Sequence, residues 1–360
     1  MMKNEKSVKQ KWKALSRRYL IDALGAMAHG LFASLLIGTI FNALGLIPGL
    51  GVFKQIGSLA GSAAGPAMAV AIAFSLKASP LVIYTCALVG LLANTHGGAG
   101  GPLAVLIIAI LAAEVGMLVS KKTKVDILVT PFVTLLVGGL ASVWFAPYIG
   151  QAAGLVSDLI SFAMTAHPFV MGVVVSVVVG CALTLPISSA AICAALGLSG
   201  MASGDAGLAL AGGAAVAGCC AQMVGFAVMS FRENRWGGLV SQGIGTSMLQ
   251  MPNIVRNPRI WIPATLTSAI TGPLASCVFE LRMYGAAINS GMGTCGLLGP
   301  IGVILGWLDP QSGYPDAVTW LDWLGLLLIC FLLPAVLTQL FALLLRRIGW
   351  IREGDLTLPE

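Results

Sequence analysis

The sequence predicts an all-α polytopic integral membrane protein of about ten transmembrane helices, with broken and re-entrant segments and an internal repeat. Three observations predict it. Hydrophobic residues make up 58% of the 360 residues and charged residues only 9%, where a soluble domain carries about a quarter charged. A surface so poor in charge cannot be mostly wet, and mean hydropathy is +0.93. The second observation is pattern. The apolar runs are rich in Leu, Ala, Val and Gly, and 103–119 lacks the polar/apolar alternation of a lipid-facing barrel strand. The third is the 45 glycines. Small residues let membrane helices approach closely, and glycine breaks a helix where a solute must reach the backbone.

A span needs about 20 apolar residues and must satisfy its own backbone hydrogen bonds. Residues 1–18 form a basic segment with Lys3, Lys6, Lys9, Lys11, Lys13, Arg17 and Arg18. The apolar run behind it, 19–47, is far longer than a signal peptide's core of about 7–15 residues, so it is expected to be an uncleaved first span entered from the cytoplasm. The expected spans then follow at 60–76, 80–94, 102–120, 126–149, 168–185, 187–200, 206–231, 260–280 and 322–346. The transmembrane domain is thus 19–346, and 347–360 is a short cytoplasmic tail. The stretch 285–308, apolar but interrupted by Gly and Pro, is expected to be a re-entrant hairpin. Basic residues concentrate on the cytoplasmic side of membrane proteins. Lys77, Lys121, Lys122, Lys124, Arg232, Arg235, Arg256, Arg259, Arg346, Arg347 and Arg352 all fall in connections or a tail assigned to that side. Lys54 and Arg282 fall on the other. Both termini are therefore expected inside.

The repeat pairs Lys77-Ala78-Ser79-Pro80-Leu81 with Leu183-Thr184-Leu185-Pro186-Ile187. Downstream, the Gly-rich stretch from Asn94 to Gly100 pairs with that from Gly200 to Gly207, Val115-Gly116 pairs with Val224-Gly225, and Ser120 with Ser230. Repeated pairs of Gly/Pro-broken helices point to a transport site, because breaks free backbone groups to bind a solute.

Candidate solute-binding residues follow from polarity in apolar surroundings. Glu114 sits inside an apolar run, where a charge is costly. It is either a proton carrier or acceptor for a solute hydroxyl, or a structural hydrogen-bonding group. Asn94 and His96 lie in the first Gly-rich loop. Arg232, Glu233, Asn234, Gln242, Gln250 and Asn253 lie in a stretch too polar to face lipid and too apolar to be a free loop. Such a stretch either lines an aqueous cavity as a re-entrant segment or is an amphipathic cytoplasmic linker. The cavity reading places Asn94, His96 and Gln250 in one water-filled pocket. Glu280 and Arg282 read as a local ion pair, and His29 and His167 as structural. The eight cysteines form no CxxC pair and read as apolar packing residues. No catalytic, metal or cofactor motif is present, so no catalytic residue, metal or cofactor is expected. The net charge of +6 comes mainly from the flanks of spans and points to topology, not to nucleic acid.

The long motifs around this polar stretch resemble a known family. They are Phe231–Gly238, Ser241–Gln250, Pro252-Asn253-Ile254 and Asn257-Pro258-Arg259-Ile260-Trp261-Ile262-Pro263. Ser268-Ala269-Ile270-Thr271-Gly272-Pro273-Leu274, Ser290–Leu297 and Lys122-Thr123-Lys124-Val125-Asp126-Ile127 extend the match. The resemblance, over roughly 20–345, is to phosphotransferase-system enzyme IIC membrane proteins, among them PfoR-type toxin regulators. It implies a bacterial inner-membrane permease that carries a sugar or similar small polar solute while separate soluble IIA and IIB proteins supply any phosphorylation. In that case the chain is the sugar-binding permease subunit of a phosphohistidine–sugar phosphotransferase. Two other readings stay open: a membrane-embedded regulator or sensor, and a proton-coupled carrier without phosphotransferase activity. Expected partners are the lipid bilayer, the solute, the IIA/IIB proteins and a second copy in a homodimer.

Overall fold

The computed structural model describes residues 15, 17–45, 49–203, 205–309, 312–314 and 317–358. The basic residues Lys3, Lys6, Lys9, Lys11 and Lys13 lie outside the described residues. Among the described residues there is helix and turn and no strand.

Helix α1 (Arg17–Asn42) is long enough to cross a membrane. A bent pair follows, α2 (Val52–Ser62) and α3 (Ala64–Ser75), inclined at 48°. Next come α4 (Pro80–Gly97) and α5 (Gly101–Val119). The two form one apolar run of 40 residues. Gly98, at φ +51°, takes a left-handed conformation that only glycine adopts freely, and there the chain folds back. The hairpin is closed at its far end by Ser79 Oγ and Ser120 Oγ, 2.8 Å apart.

Helix α6 (Asp126–Met164) has 39 residues. At 1.5 Å per residue it is about 58 Å long, well beyond the bilayer core of about 30 Å. The expected span 126–149 is its first part. The helix then continues, burying Ile160 and Ala163 against Met171 and Val175 of α7 (Pro168–Thr184). The outer face of α6 exposes Ile127, Leu128, Phe132, Trp144, Phe145 and Tyr148. This is the arrangement of a lipid-facing helix with an aromatic belt.

The expected span 187–200 is not one helix. It is α8 (Ser189–Ala195), only 7 residues long, followed by a turn with Gly197 at φ +62°. The most buried helix is α9 (Ala206–Met229). A kinked α10 (Phe231–Val240) leads through a π-helical turn (Ser241–Gly245) and a 3₁₀ turn (Ser247–Gln250) to α11 (Met251–Arg256). Then come α12 (Ile262–Pro273), an irregular stretch, α13 (Leu298–Leu308) and α14 (Trp320–Arg347).

Among the described residues five helices are long and apolar enough to cross a membrane, or six if the bent pair is one span. The figure of about ten spans is therefore not reached by length and composition alone. The difference lies in the hairpin, which counts as one run, and in segments that are broken or short, such as 187–200.

Among the described residues the buried apolar side chains form five clusters. Of the two largest, one gathers α1, α3, α4 and α5 around Met27, Met68, Ile72, Val89 and Ile108, and the other gathers α7, α8 and α9 around Val175, Ile192 and Cys219. The contacts are made by small residues. A side-chain carbon on Gly180 would lie 2.7 Å from the carbonyl oxygen of Gly218, so the α7 and α9 backbones nearly touch.

Candidate functional site

Irregular backbone at membrane depth persists only where protein buries it or where it lines a cavity. Here the breaks converge. Ser188 N donates to Ala99 O at 2.8 Å, joining the start of α8 to the turn of the α4–α5 hairpin. The stretch between α12 and α13 interlocks with the same region. Ser189 Oγ donates to Gly291 O at 2.7 Å, Ser199 Oγ to Gly285 O at 2.6 Å, and Ser290 Oγ to Leu198 O at 2.7 Å. Gly200 N donates to Met283 O at 2.9 Å. The Gly/Ser-rich sequence makes this possible: Ser supplies donors to carbonyls that helices leave free, and Gly293, at φ +52°, lets the chain pass against the Cys219 backbone.

Above these breaks opens a vestibule of about 600 Å³. Its walls come from Leu35, Thr39 and Asn42 of α1, Lys54 of α2, Ser188 and Ala191, Tyr284 and Asn289, and Leu305 and Asp309 at the end of α13. A smaller cavity of about 60 Å³ continues from it, sharing Leu35, Ser188, Ala190 and Met292. It is floored by Pro102, Leu183, Thr246 and Met248. The walls are mostly apolar, with a few separated hydroxyl, amide and charged groups. That is the usual composition and size of a small-molecule site.

Below the floor a polar network closes the way. Thr184 Oγ1 lies 2.8 Å from Ser247 Oγ and donates to Gln222 Oε1 at 3.3 Å, which also accepts from Trp261 Nε1 at 2.9 Å. Thr184, Gln222 and Ser247 are all fully buried. Further down, Gln250 Nε2 donates to Gln242 Oε1 and to Leu356 O, both at 2.9 Å. Asn253 Nδ2 donates to Gln250 Oε1 and Thr357 O, both at 2.8 Å. Asn234 Nδ2 donates to Leu356 O, and Leu358 N donates back to Asn234 Oδ1, each at 2.8 Å. These amides thus grip the backbone of the C-terminal tail.

The vestibule and the tail lie at opposite ends of α1. Thr39 and Asn42 line the vestibule. Asp22 lines a separate cavity with Asn253 and Arg256. Twenty helical residues separate Asp22 from Asn42, about 30 Å at the helical rise. This matches the thickness of the bilayer core.

The sequence-based candidates are distributed differently from expectation. Asn94 is wedged into the hairpin, with its side chain against Gly65 and Gly101. His96 is exposed. Gln250 is fully buried with its amide nitrogen doubly bonded. The structure does not bring these three to one water-filled pocket; the vestibule has other walls. Gln242, Gln250, Asn253 and Asn234 do come together, but around the tail. Glu233 is ion-paired with Arg346 at 2.7 Å, and Arg346 also donates to Met229 O. Arg232 is exposed and borders a cavity of about 330 Å³ with Glu353 and Thr357. Glu114 is not the isolated charge its sequence neighbours imply. Its Oε1 accepts from Arg18 Nη2 at 2.6 Å and from Tyr19 OH at 2.9 Å. The pairing gives Glu114 the hydrogen-bonding role that its structural reading requires. The local pair Arg282–Glu280 forms at 2.6 Å. His167 caps α7 by accepting from Phe169 N.

Sequence reasoning missed the vestibule residues. A signal existed for some. Leu35, Thr39 and Asn42 recur at helical spacing on one face, and two of them are polar in an apolar run. Lys54 and Arg282 were the two basic residues that disobeyed the charge pattern, and Lys54 and Tyr284 both border the vestibule.

The cavity opens above broken helices and is surrounded by helices long and apolar enough to cross a membrane. No curated protein and no solved structure matches the chain. The family model for the phosphotransferase system, EIIC, matches residues 21–358, nearly the whole sequence. The chain belongs to the phosphotransferase-system EIIC family of membrane permeases.

Proposed function

We propose that this permease carries a sugar or similar polyhydroxylated solute across the bacterial inner membrane, and that the vestibule is its binding site. Separate IIA and IIB proteins then supply phosphoryl groups from the cytoplasm. The observation that carries the reading is the composition of the 600 Å³ cavity. Asn42 and Asn289 each offer an amide donor and acceptor, Thr39 and Ser188 offer hydroxyls, and Lys54 and Asp309 offer one charge of each sign. Apolar walls between them suit the C–H faces of a sugar ring.

The orientation follows from charge. Arg18, Lys77, Lys121, Arg256 and Arg346 belong to the end where the tail lies, so that end is the cytoplasmic one, and the vestibule opens outward. Both termini are then cytoplasmic, with the basic segment 1–18 and the tail 347–360 flanking the transmembrane domain 19–346.

Thermal stability of the purified protein against a panel of hexoses, disaccharides, polyols and amino acids tests the proposal. A neutral sugar is expected to raise Tm, and Asn289→Ala is expected to abolish that shift while leaving the ligand-free Tm nearly unchanged. Stabilisation only by amino acids or simple ions, with no sugar effect, contradicts the assignment of solute class.

A further inference from the structure

Only one turn of 3₁₀ helix, Ser247–Gln250, separates the floor of the cavity from the C-terminal tail. At about 2 Å per residue it is about 8 Å long. Its upper end is cavity wall: Thr246 and Met248 face the smaller cavity. Its lower end, Gln250, is bonded to Leu356 O. Around the turn lie the hydrogen bonds of Thr184, Gln222, Gln242 and Gln250 and the apolar packing of Met248 and Leu249.

The tail is held by a built site. Leu356 is fully buried, and its carbonyl accepts from both Asn234 and Gln250. Asn234 also accepts from Leu358 N, so one side-chain amide pairs with tail backbone on both sides of Thr357. To aim it there, α10 kinks at Arg235, which takes φ +52° and ψ −150°, a conformation unfavourable for a long side chain. The tail lies after the last membrane-crossing helix, so releasing it breaks no span. Its bonds run to neutral amides, one of them ending on the Asp355 carboxylate, which accepts from Asn257 Nδ2 at 2.8 Å, and each exchanges with water at a modest net cost. The burial of Leu356 against Ile254 and Leu345 is what release must chiefly overcome.

We propose that residues 352–358 are a displaceable latch that holds the 3₁₀ turn as the seal at the tail end of the passage, and that release of the latch admits water to that seal. The inference rests on the reading of the vestibule as a solute passage, but its test needs neither a solute nor transport.

The test uses Ser247→Cys, a near-isosteric change at the seal, in the otherwise complete chain in detergent. Labelling by a water-soluble maleimide is read at position 247 by mass spectrometry of its peptide, which separates it from the native cysteines. Two release variants are compared: a chain ending at Ile351, and the full chain carrying Asn234→Ala. Size exclusion and Tm report folding, and amide hydrogen exchange reports which segments open. The latch predicts at least about tenfold faster labelling in both variants, as expected when hydrogen bonds worth a tenfold shift are removed. It also predicts faster exchange confined to 241–257. If the truncated chain fails to fold, Asn234→Ala decides. Unchanged labelling at position 247, or exchange rising equally through α4, α7 and α9, overturns the proposal. The first outcome leaves the seal independent of the tail, and the second makes the tail a general structural tie. Neither result bears on which solute the vestibule binds, so this failure is distinct from failure of the sugar assignment.

Discussion

Two ion pairs in this protein differ in what surrounds them, and they should differ in what they contribute. Glu233 is 4% exposed and Arg346 17%. The second carboxylate oxygen of Glu233 has no hydrogen-bond partner. Removing one member of a buried pair leaves the other charge desolvated and costs about 3–5 kcal/mol. Arg346→Met is expected to lower stability by about 3 kcal/mol, and the double variant Arg346→Met/Glu233→Gln is expected to recover most of the loss. Denaturation of the two variants in one detergent forms the cycle; a double variant no better than the single would place the cost in packing. Glu114 and Arg18 are 32% and 42% exposed, and pairs so exposed contribute about 0–1 kcal/mol. Glu114→Gln is therefore expected to change stability by less than about 1 kcal/mol. It should also leave any pH dependence of uptake unchanged; loss of that dependence in a folded Glu114→Gln protein would return the residue to a proton-handling role. What sequence could say about these residues was limited by their partners. Burial cost marked Glu114 as unusual, but Arg18 is 96 positions away in the chain, and nothing local announces a bond across that distance.

At the scale of elements, the sequence was legible where a segment's own composition decides its fate. Most apolar runs became helices and the Gly/Pro-broken segment 285–297 became irregular backbone, whereas 187–200, expected as a span, broke after seven helical residues. It was less legible where one helix runs on. Nothing in 150–164 stops a helix, since Pro147 is tolerated within α6 and the sequence supplies no cap until Thr165. The stretch 231–253 shows a third kind of difficulty. Its polarity sets it apart from the long apolar helices, but amides that bind a solute and amides that bind the chain's own tail look alike in sequence. The partner, Leu356, is over a hundred residues from Gln250. Gly293 marks where local conformation and packing coincide. Its φ of +52° is strained for other residues, and a side-chain carbon would lie 2.7 Å from the Cys219 backbone. Gly293→Ala is expected to cost about 2 kcal/mol or more and to loosen the irregular stretch 285–297 against α9. Hydrogen exchange confined to that stretch would agree. Unchanged stability and exchange would mean that the breaks are not locked together there.

For the whole molecule, the account is of a passage with two unlike ends. One end is a wide vestibule walled by broken helices, and the other is a thin polar seal under the C-terminal tail. This asymmetry was not visible from composition, because it depends on which breaks meet in space. Of the two basic residues outside the charge pattern, Lys54 lines the vestibule and Arg282 lies two positions before the vestibule residue Tyr284. The EIIC family assignment fits a molecule of this shape, since a permease must present its solute site to one side while closing the other. The most direct measurement is therefore sided labelling with a membrane-impermeant maleimide in sealed vesicles of both orientations, comparing Asn289→Cys with Thr357→Cys and subtracting the unsubstituted chain. The account predicts that position 289 is labelled only from the outer face and position 357 only from the cytoplasmic face. Labelling of both positions from the same face would contradict it.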